Sequence, residues 1–186
     1  MKIKEAIQKR RAYRCLEEVE ITEELAKDLA ECAQLAPSCF NNQPWRFVFV
    51  YSKQVLQELF KALQKGNEWA YSASMIIAVF SRKDLDCLIK EREYYLFDTG
   101  MACAFMMLRA TELGLVAHPI AGYREEQVRE VLGIPEDMAV VTLIVVGKHS
   151  EIINPVLSEK QIESEEMRPQ RIPLEKFAFT DRYREV

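Results

Sequence analysis

The stretch Ala36-Pro37-Ser38-Cys39-Phe40-Asn41-Asn42-Gln43-Pro44-Trp45-Arg46-Phe47 crowds polar side chains between two prolines and then runs into an alternating apolar segment. Pro37 ends the helical pattern before it, and Pro44 restricts Gln43 towards an extended conformation, which predicts a stiff, irregular loop. Such a loop can present N–H groups and amides to a planar polar ligand. Directly after it, Trp45, Phe47, Phe49 and Tyr51 alternate with Arg46, Val48 and Val50. That pattern predicts a strand largely buried on both faces, so the loop is anchored on a rigid element.

On the N-terminal side, Thr22 reads as a helix cap, and Ile21, Leu25, Leu29, Cys32 and Ala36 recur every three or four residues until Pro37. This stripe is read as core. Residues 3–14 carry an earlier helical pattern, with Ile3, Ala6 and Ile7 on one side and Arg10, Arg11 and Arg14 towards its end. Two readings of that basic end stand side by side. The cations complement the helix dipole and are solvated, or Arg10 and Arg14, four residues apart, face one way and clamp a phosphate.

On the C-terminal side, Leu56, Leu59, Phe60 and Leu63 mark a third helix before Gly66-Asn67, and Met75 to Phe80 a second strand. Thr99 to Leu108 is nearly all apolar, with Gly100, Ala102, Cys103 and Ala104 among three methionines. A helix apolar all round is buried all round. Its small residues allow close approach, which places it at the centre of the monomer or of a dimer interface, and the dimer is the reading adopted. After Gly114, Val116 to Tyr123 predicts a short strand ending in a Pro- and Gly-bounded loop. Val128, Val131 and Leu132 predict a helix stopped by Gly133 and Pro135, and Val140 to Gly147 a fully buried strand. From His149 onward the chain is polar and cannot build a core of its own, so it wraps something or stays loose.

At 186 residues, 49% hydrophobic and 29% charged, the chain has the size and composition of one soluble domain. A net charge of −4 gives no global electrostatic case for nucleic acid or an anionic membrane. Apolar runs are too short to span a bilayer, and the start lacks a secretory core, which predicts a cytoplasmic protein. Cys15, Cys32, Cys39, Cys87 and Cys103 include no CxxC pair and are read as reduced thiols. His118 and His149 lack partners at metal-ligand spacing, so no metal site is expected. The six glycines never cluster, and neither a dinucleotide-binding fingerprint, a P-loop nor a nucleophile elbow is present.

Taken in order, Lys9 to Arg14, Ala36-Pro37-Ser38 with Asn41 and Gln43-Pro44-Trp45, Asp98-Thr99-Gly100, Leu113-Gly114-Leu115, Pro119 to Tyr123, Val146-Gly147 and Arg171-Ile172-Pro173 resemble the nitroreductase family of FMN-dependent oxidoreductases. The resemblance runs over nearly the whole chain. It implies an α+β fold with a central mixed sheet flanked by helices, in a single domain spanning residues 1–186. It also implies a homodimer with FMN sites at the interface, and residues 149–186 as a tail wrapping the partner subunit. By position, Arg10, Arg11, Ala12, Arg14 and Arg171 would hold the FMN phosphate. Pro37, Ser38, Cys39 and Asn41, with Gln43, would contact the flavin across the interface. Pro119, Ile120, Ala121 and Gly122 would bring backbone N–H groups to its N5 edge.

The implied activity is hydride transfer from NAD(P)H through the flavin to a nitroaromatic, quinone or similar small acceptor in a ping-pong cycle. The cofactor carries the chemistry, and no catalytic side chain is expected. Alternatives on the same fold are flavin storage with little turnover, dehalogenation or flavin fragmentation, and a flavin-free structural dimer. Four features depart from the family pattern: Cys39 in place of serine, Ala121 in place of glycine or an acid, Pro169 in place of a basic residue, and a short connection over 81–93. Arg168 or Lys148 could supply the missing cation. The short connection implies an open pocket, with Tyr94, Tyr95 and Phe97 as candidate walls or core.

Overall fold

The computed structural model describes residues 1–185. Its sheet grows from one strand that is apolar on both faces, β7 (Ala139–His149), whose residues Leu143 to Val146 are completely buried. In chain order the other elements are α1 (Ile3–Lys9), β1 (Leu16–Glu17), α2 (Glu23–Gln34), β2 (Arg46–Val50), α3 (Lys53–Phe60), β3 (Met75–Ser81), the β4 (Leu88–Ile89) and β5 (Arg92–Glu93) hairpin, α4 (Tyr94–Glu112), β6 (Leu115–Ile120), α5 (Glu125–Leu132) and, after β7, α6 (Glu159–Glu166). β7 pairs with β6 along one edge and with β3 and β1 along the other, and β2 closes the sheet beyond β3.

The α+β class holds. Every pairing is antiparallel, where a mixed sheet was implied.

Strand periodicity of two splits the core into two layers. Ile76, Ala78, Leu143, Val145, Val116 and Ile120 face α3 and α5, with Leu59, Phe60, Trp69 and Val128. Met75, Ile77, Val79, Ile144, Val146 and Ala117 face α2 and α4, with Leu29, Ala33, Ala102, Met106 and Ala110. Each fully buried side chain contributes roughly 1.5–3 kcal/mol, so this sandwich is what holds the loops in place.

Several expectations need correction. β2 lies at the edge of the sheet, so it is half-buried and Arg46 is exposed, although Trp45 is buried beside it. The first helix stops at Lys9, and Arg10 to Arg14 follow as irregular backbone, so helical spacing is not what brings the arginines together. On α2, Thr22 Oγ1 does accept the Leu25 N–H at 3.2 Å, but the buried stripe is Ala26, Leu29 and Ala33. α4 is not buried all round: Tyr95, Asp98, Ala102, Met106 and Ala110 face the core, while Leu96, Phe97 and Phe105 are exposed. The polar tail does contain a helix, α6, which docks through the buried Glu165. Among the described residues, no helix is long and apolar enough to cross a membrane.

Candidate functional site

Arg10, Arg11, Ala12 and Arg14 leave α1 as extended backbone and meet Ser164, Arg168, Pro169 and Arg171, coming from α6 and the tail, around a cavity of about 160 Å³. The joint is made by Glu165. Its buried carboxylate accepts the backbone N–H of Arg14 at 2.7 Å and of Cys15 at 3.1 Å, docking the end of α6 under the arginine segment. Arg11 donates to the carbonyls of Ser164 (2.6 Å) and Glu165 (3.1 Å), and its guanidinium lies 4.5 Å from the Tyr13 ring centre. Arg168 donates to the carbonyls of Gln8 (2.5 Å) and Arg10 (3.0 Å), capping α1.

Behind Arg14, whose guanidinium lies 5.9 Å from the Trp69 ring centre, aromatic side chains pack together. His118 is buried and stacks on Trp69 with centroids 4.7 Å apart, and its Nδ1 lies 3.0 Å from the Tyr13 carbonyl. Burial pushes its pKa down to about 4, opposed by the Tyr13 hydrogen bond. The ring is therefore neutral, with Nδ1–H donating to Tyr13. Burial also lowers the Arg14 pKa, opposed by Glu165.

Arg10 is lowered as well, first by burial and then by the charges of Arg168 and Arg171. Among the described residues, no carboxylate lies within 4.0 Å of Arg10, Arg168 or Arg171. Three cations that repel one another around a small cavity form a receptor for a dianion, because a phosphate turns each repulsion into a charge-assisted hydrogen bond. Arg168, next to Pro169, is one of the cations that line the cavity. Lys148 is engaged elsewhere, 2.6 Å from Glu17.

The second cluster of sequence-predicted residues lies on the loop after α2. The chain turns through a short 3-10 segment, Cys39–Asn41, with Phe40, Asn41 and Gln43 all at positive φ (47°, 59° and 51°). Gln43 is therefore not extended as its Pro44 neighbour implied. Left-handed backbone costs roughly 1 kcal/mol or more for a non-glycine residue, so other contacts must hold it. Asp98 Oδ2 accepts the Cys39 N–H at 2.7 Å, Ser38 Oγ accepts the Gln43 N–H at 2.9 Å, and the buried Ser81 hydroxyl donates to the Pro44 carbonyl at 2.8 Å. Pro37 and Asn41 are solvent-facing, and Phe40 is 89% exposed.

Cys39 is bonded to Cys87, across 48 residues, which corrects the reading of five reduced thiols; Cys15, Cys32 and Cys103 remain free. A pairing between a loop and a distant connection leaves no local spacing signal.

Pro119 to Gly122 end β6. Pro119 and Ala121 are exposed, Ile120 is buried, and the Gly122 carbonyl accepts from Gln64 N–H and Asn67 Nδ2, both at 2.9 Å. A Cβ at Gly122 would meet Asn67 Nδ2 at 2.3 Å, so the close approach requires glycine. The N–H groups of Ala121 and Gly122 have no acceptor among the described residues. Gln64 and Asn67 hold this turn, and sequence reasoning missed them because they act through a backbone contact. Tyr95 is core, Tyr94 half-buried and Phe97 exposed. Neither the 37–43 loop nor the 119–122 turn lines the arginine cavity within one chain.

The nitroreductase family model matches residues 7–68 and 61–148. The chain belongs to the nitroreductase family. An Archaeoglobus fulgidus protein provisionally named an NADH dehydrogenase/NAD(P)H nitroreductase is 28% identical over 144 residues, covering 74% of this chain and 80% of that one. Among solved structures, an oxidoreductase containing FMN is similar with a TM-score of 0.84 and 28% identity, covering 97% of this chain and 92% of the other. A provisionally named nitroreductase from Exiguobacterium sibiricum, in complex with FMN, has a TM-score of 0.78 at 25% identity, covering 96% and 97%. The family match takes in Arg10 to Arg14, the 36–44 loop and the Pro119–Gly122 turn, and ends before α6 and the tail arginines.

Proposed function

We propose that this chain is an FMN-containing oxidoreductase that takes reducing equivalents from NAD(P)H and passes them to a nitroaromatic, quinone or similar small acceptor. One observation carries the reading: Arg10, Arg168 and Arg171 surround a cavity without a carboxylate to balance them, on a fold whose similar structures include FMN-containing ones. The residues fit the cofactor's phosphate by charge and by donor chemistry, with Arg10, Arg14 and Arg171 as donors and Arg11 and Arg168 as the braces that shape the cavity. When bound, FMN supplies two-electron acceptance and release, which no side chain here provides.

The chain's own residues position and exclude. The free N–H groups of Ala121 and Gly122 offer donors to an electron-rich ring edge, held by Asn67 and Gln64. The neutral His118 keeps the region behind Arg14 apolar and without added charge. The loop Pro37–Gln43 belongs to a site completed by a second copy, because it does not reach its own arginine cavity. Leu96, Phe97, Phe105 and Phe40 form the exposed apolar surface that such a homodimer would cover. Ile172, Leu174, Phe177 and Tyr183 in the exposed tail would wrap the partner.

The visible absorption spectrum tests this. The purified protein is expected to be yellow, to release FMN on heating, and to bleach anaerobically with NADH or NADPH. Colourless protein that refuses added FMN would overturn the reading. Bound FMN that no nicotinamide reduces would replace it with flavin storage.

A further inference from the structure

We propose that Cys39 and Cys87 form a second redox centre in this chain, a thiol–disulfide exchange site whose substrate is an external dithiol. The bridge joins the loop 36–44 to the connection before β4, with Cα atoms 6.0 Å apart, an ordinary span for a cystine. Its position differs from that of the core thiols. Cys15 and Cys103 are buried, and burial pushes the Cys103 thiol up to about 12, which makes it unreactive. Cys39 and Cys87 are both half-exposed, so a thiolate from solvent can reach them.

Acid–base groups converge on the two sulfurs. A carboxylate oxygen of Asp86 lies within 4.8 Å of both. Asn42 Nδ2 sits 3.2 Å from Asp86 Oδ1 and 3.5 Å from Cys87 Sγ, so one amide bridges the acid and the sulfur. Asp86 Oδ2 is buried and has no donor among the described residues. Beside it, Asp98 is only 2% exposed, and burial and the neighbouring Asp86 hold its carboxyl above the usual range.

The step balances. A thiolate of the dithiol attacks Cys39 Sγ and forms a mixed disulfide. The electron pair of the broken bond leaves on Cys87 Sγ, which the Asn42 amide stabilises and which then takes a proton from solvent. The second thiol of the reductant then gives its proton to solvent, attacks its own sulfur in the mixed disulfide, and releases Cys39 as a thiolate that takes a proton from solvent. The dithiol loses two electrons and two protons and becomes a cyclic disulfide, and the cystine gains both. Opening frees the 36–44 loop from the 81–93 connection while Asp98 and Ser81 still hold it.

The test uses dithiothreitol on the folded protein, followed by acid quench, alkylation and peptide mapping. It reads no flavin property and is decided independently of the function above. Air-equilibrated protein is expected to show the three free cysteines, and folded protein after dithiothreitol two more, at positions 39 and 87. Oxidised dithiothreitol should close the pair again. The Cys87→Ser variant should show no dithiothreitol-dependent change. Asn42→Ala, which removes the amide donor from the leaving Cys87 sulfur, should slow opening by up to about tenfold at unchanged thermal midpoint. Free Cys39 and Cys87 in the air-equilibrated protein would overturn the proposal. So would a bridge that opens only on unfolding, which would make it a structural cross-link, or an Asn42→Ala variant that opens at the parental rate.

Discussion

Around the cavity of residues 10–14 and 164–171, Arg10, Arg168 and Arg171 face one another with no carboxylate within 4.0 Å among the described residues, whereas along the loop 36–44 the strained backbone is satisfied from within the protein. Asp98, Ser38 and Ser81 take up the loop's N–H and carbonyl groups, and a cystine ties it down. The first region is the one proposed to take an anion. The second is complete as a scaffold and presents only Phe40 and the amides outward. The difference separates residues placed to bind from residues placed to hold, and mutations should distinguish them.

The largest effect is expected in the arginine cavity. Removing two charge-assisted donors, at about 1.5–3 kcal/mol each, should weaken FMN binding by Arg10→Ala/Arg14→Ala by about 3–6 kcal/mol, with riboflavin affected far less. Fluorescence titration of both ligands reads this, and equal loss of both would break the comparison.

Next comes the loop. Asp98→Ala leaves the Cys39 N–H without its acceptor and should cost about 1–3 kcal/mol in urea unfolding, while Asp98→Asn, which keeps an oxygen there, costs less. If both variants unfold like the parent, the loop is not held as described.

The third concerns the aromatic packing behind Arg14. His118 has a folded-state pKa of about 4 against 6.5 unfolded, so the fold favours the neutral ring. Its stabilising contribution is full above pH 6.5 and is lost as pH falls towards 4. Between pH 7.5 and 5 the parent should lose about 2 kcal/mol relative to His118→Gln, measured by denaturant unfolding at both pH values. Parallel pH profiles would mean that the ring is not buried in neutral form.

The smallest effect is the most discriminating. Arg171 is exposed and makes no ion pair among the described residues, so Arg171→Ala should change apo stability by less than about 0.5 kcal/mol while FMN affinity falls roughly tenfold or more. A large loss of apo stability would make Arg171 a holding residue.

The residue order along the chain carried much of this structure. The α2 cap, β3, β7, the Gly114 and Gly133 helix ends and the arginine group all follow from local pattern and charge. Other features escaped it. The arginines converge through a non-helical segment docked on Glu165, not through helical spacing. β2 reads as fully buried because its residues are apolar, but its exposure depends on where the sheet ends. The α4 helix reads as buried all round, yet one chain alone can cover only one of its sides.

What the sequence determined by itself is most of the helix and strand segments and a group of arginines near the N-terminus, because periodicity, capping and charge are properties of neighbouring residues, while the α+β class and the nitroreductase family came from the resemblance of its ordered motifs. What only the tertiary structure decided is which arginines brace and which remain free, that Cys39 meets Cys87, and that Asn67 holds the Gly122 turn. Those contacts join residues about 50 to 160 positions apart, and the packing of the two layers against β7 sets them, so no local pattern could encode them.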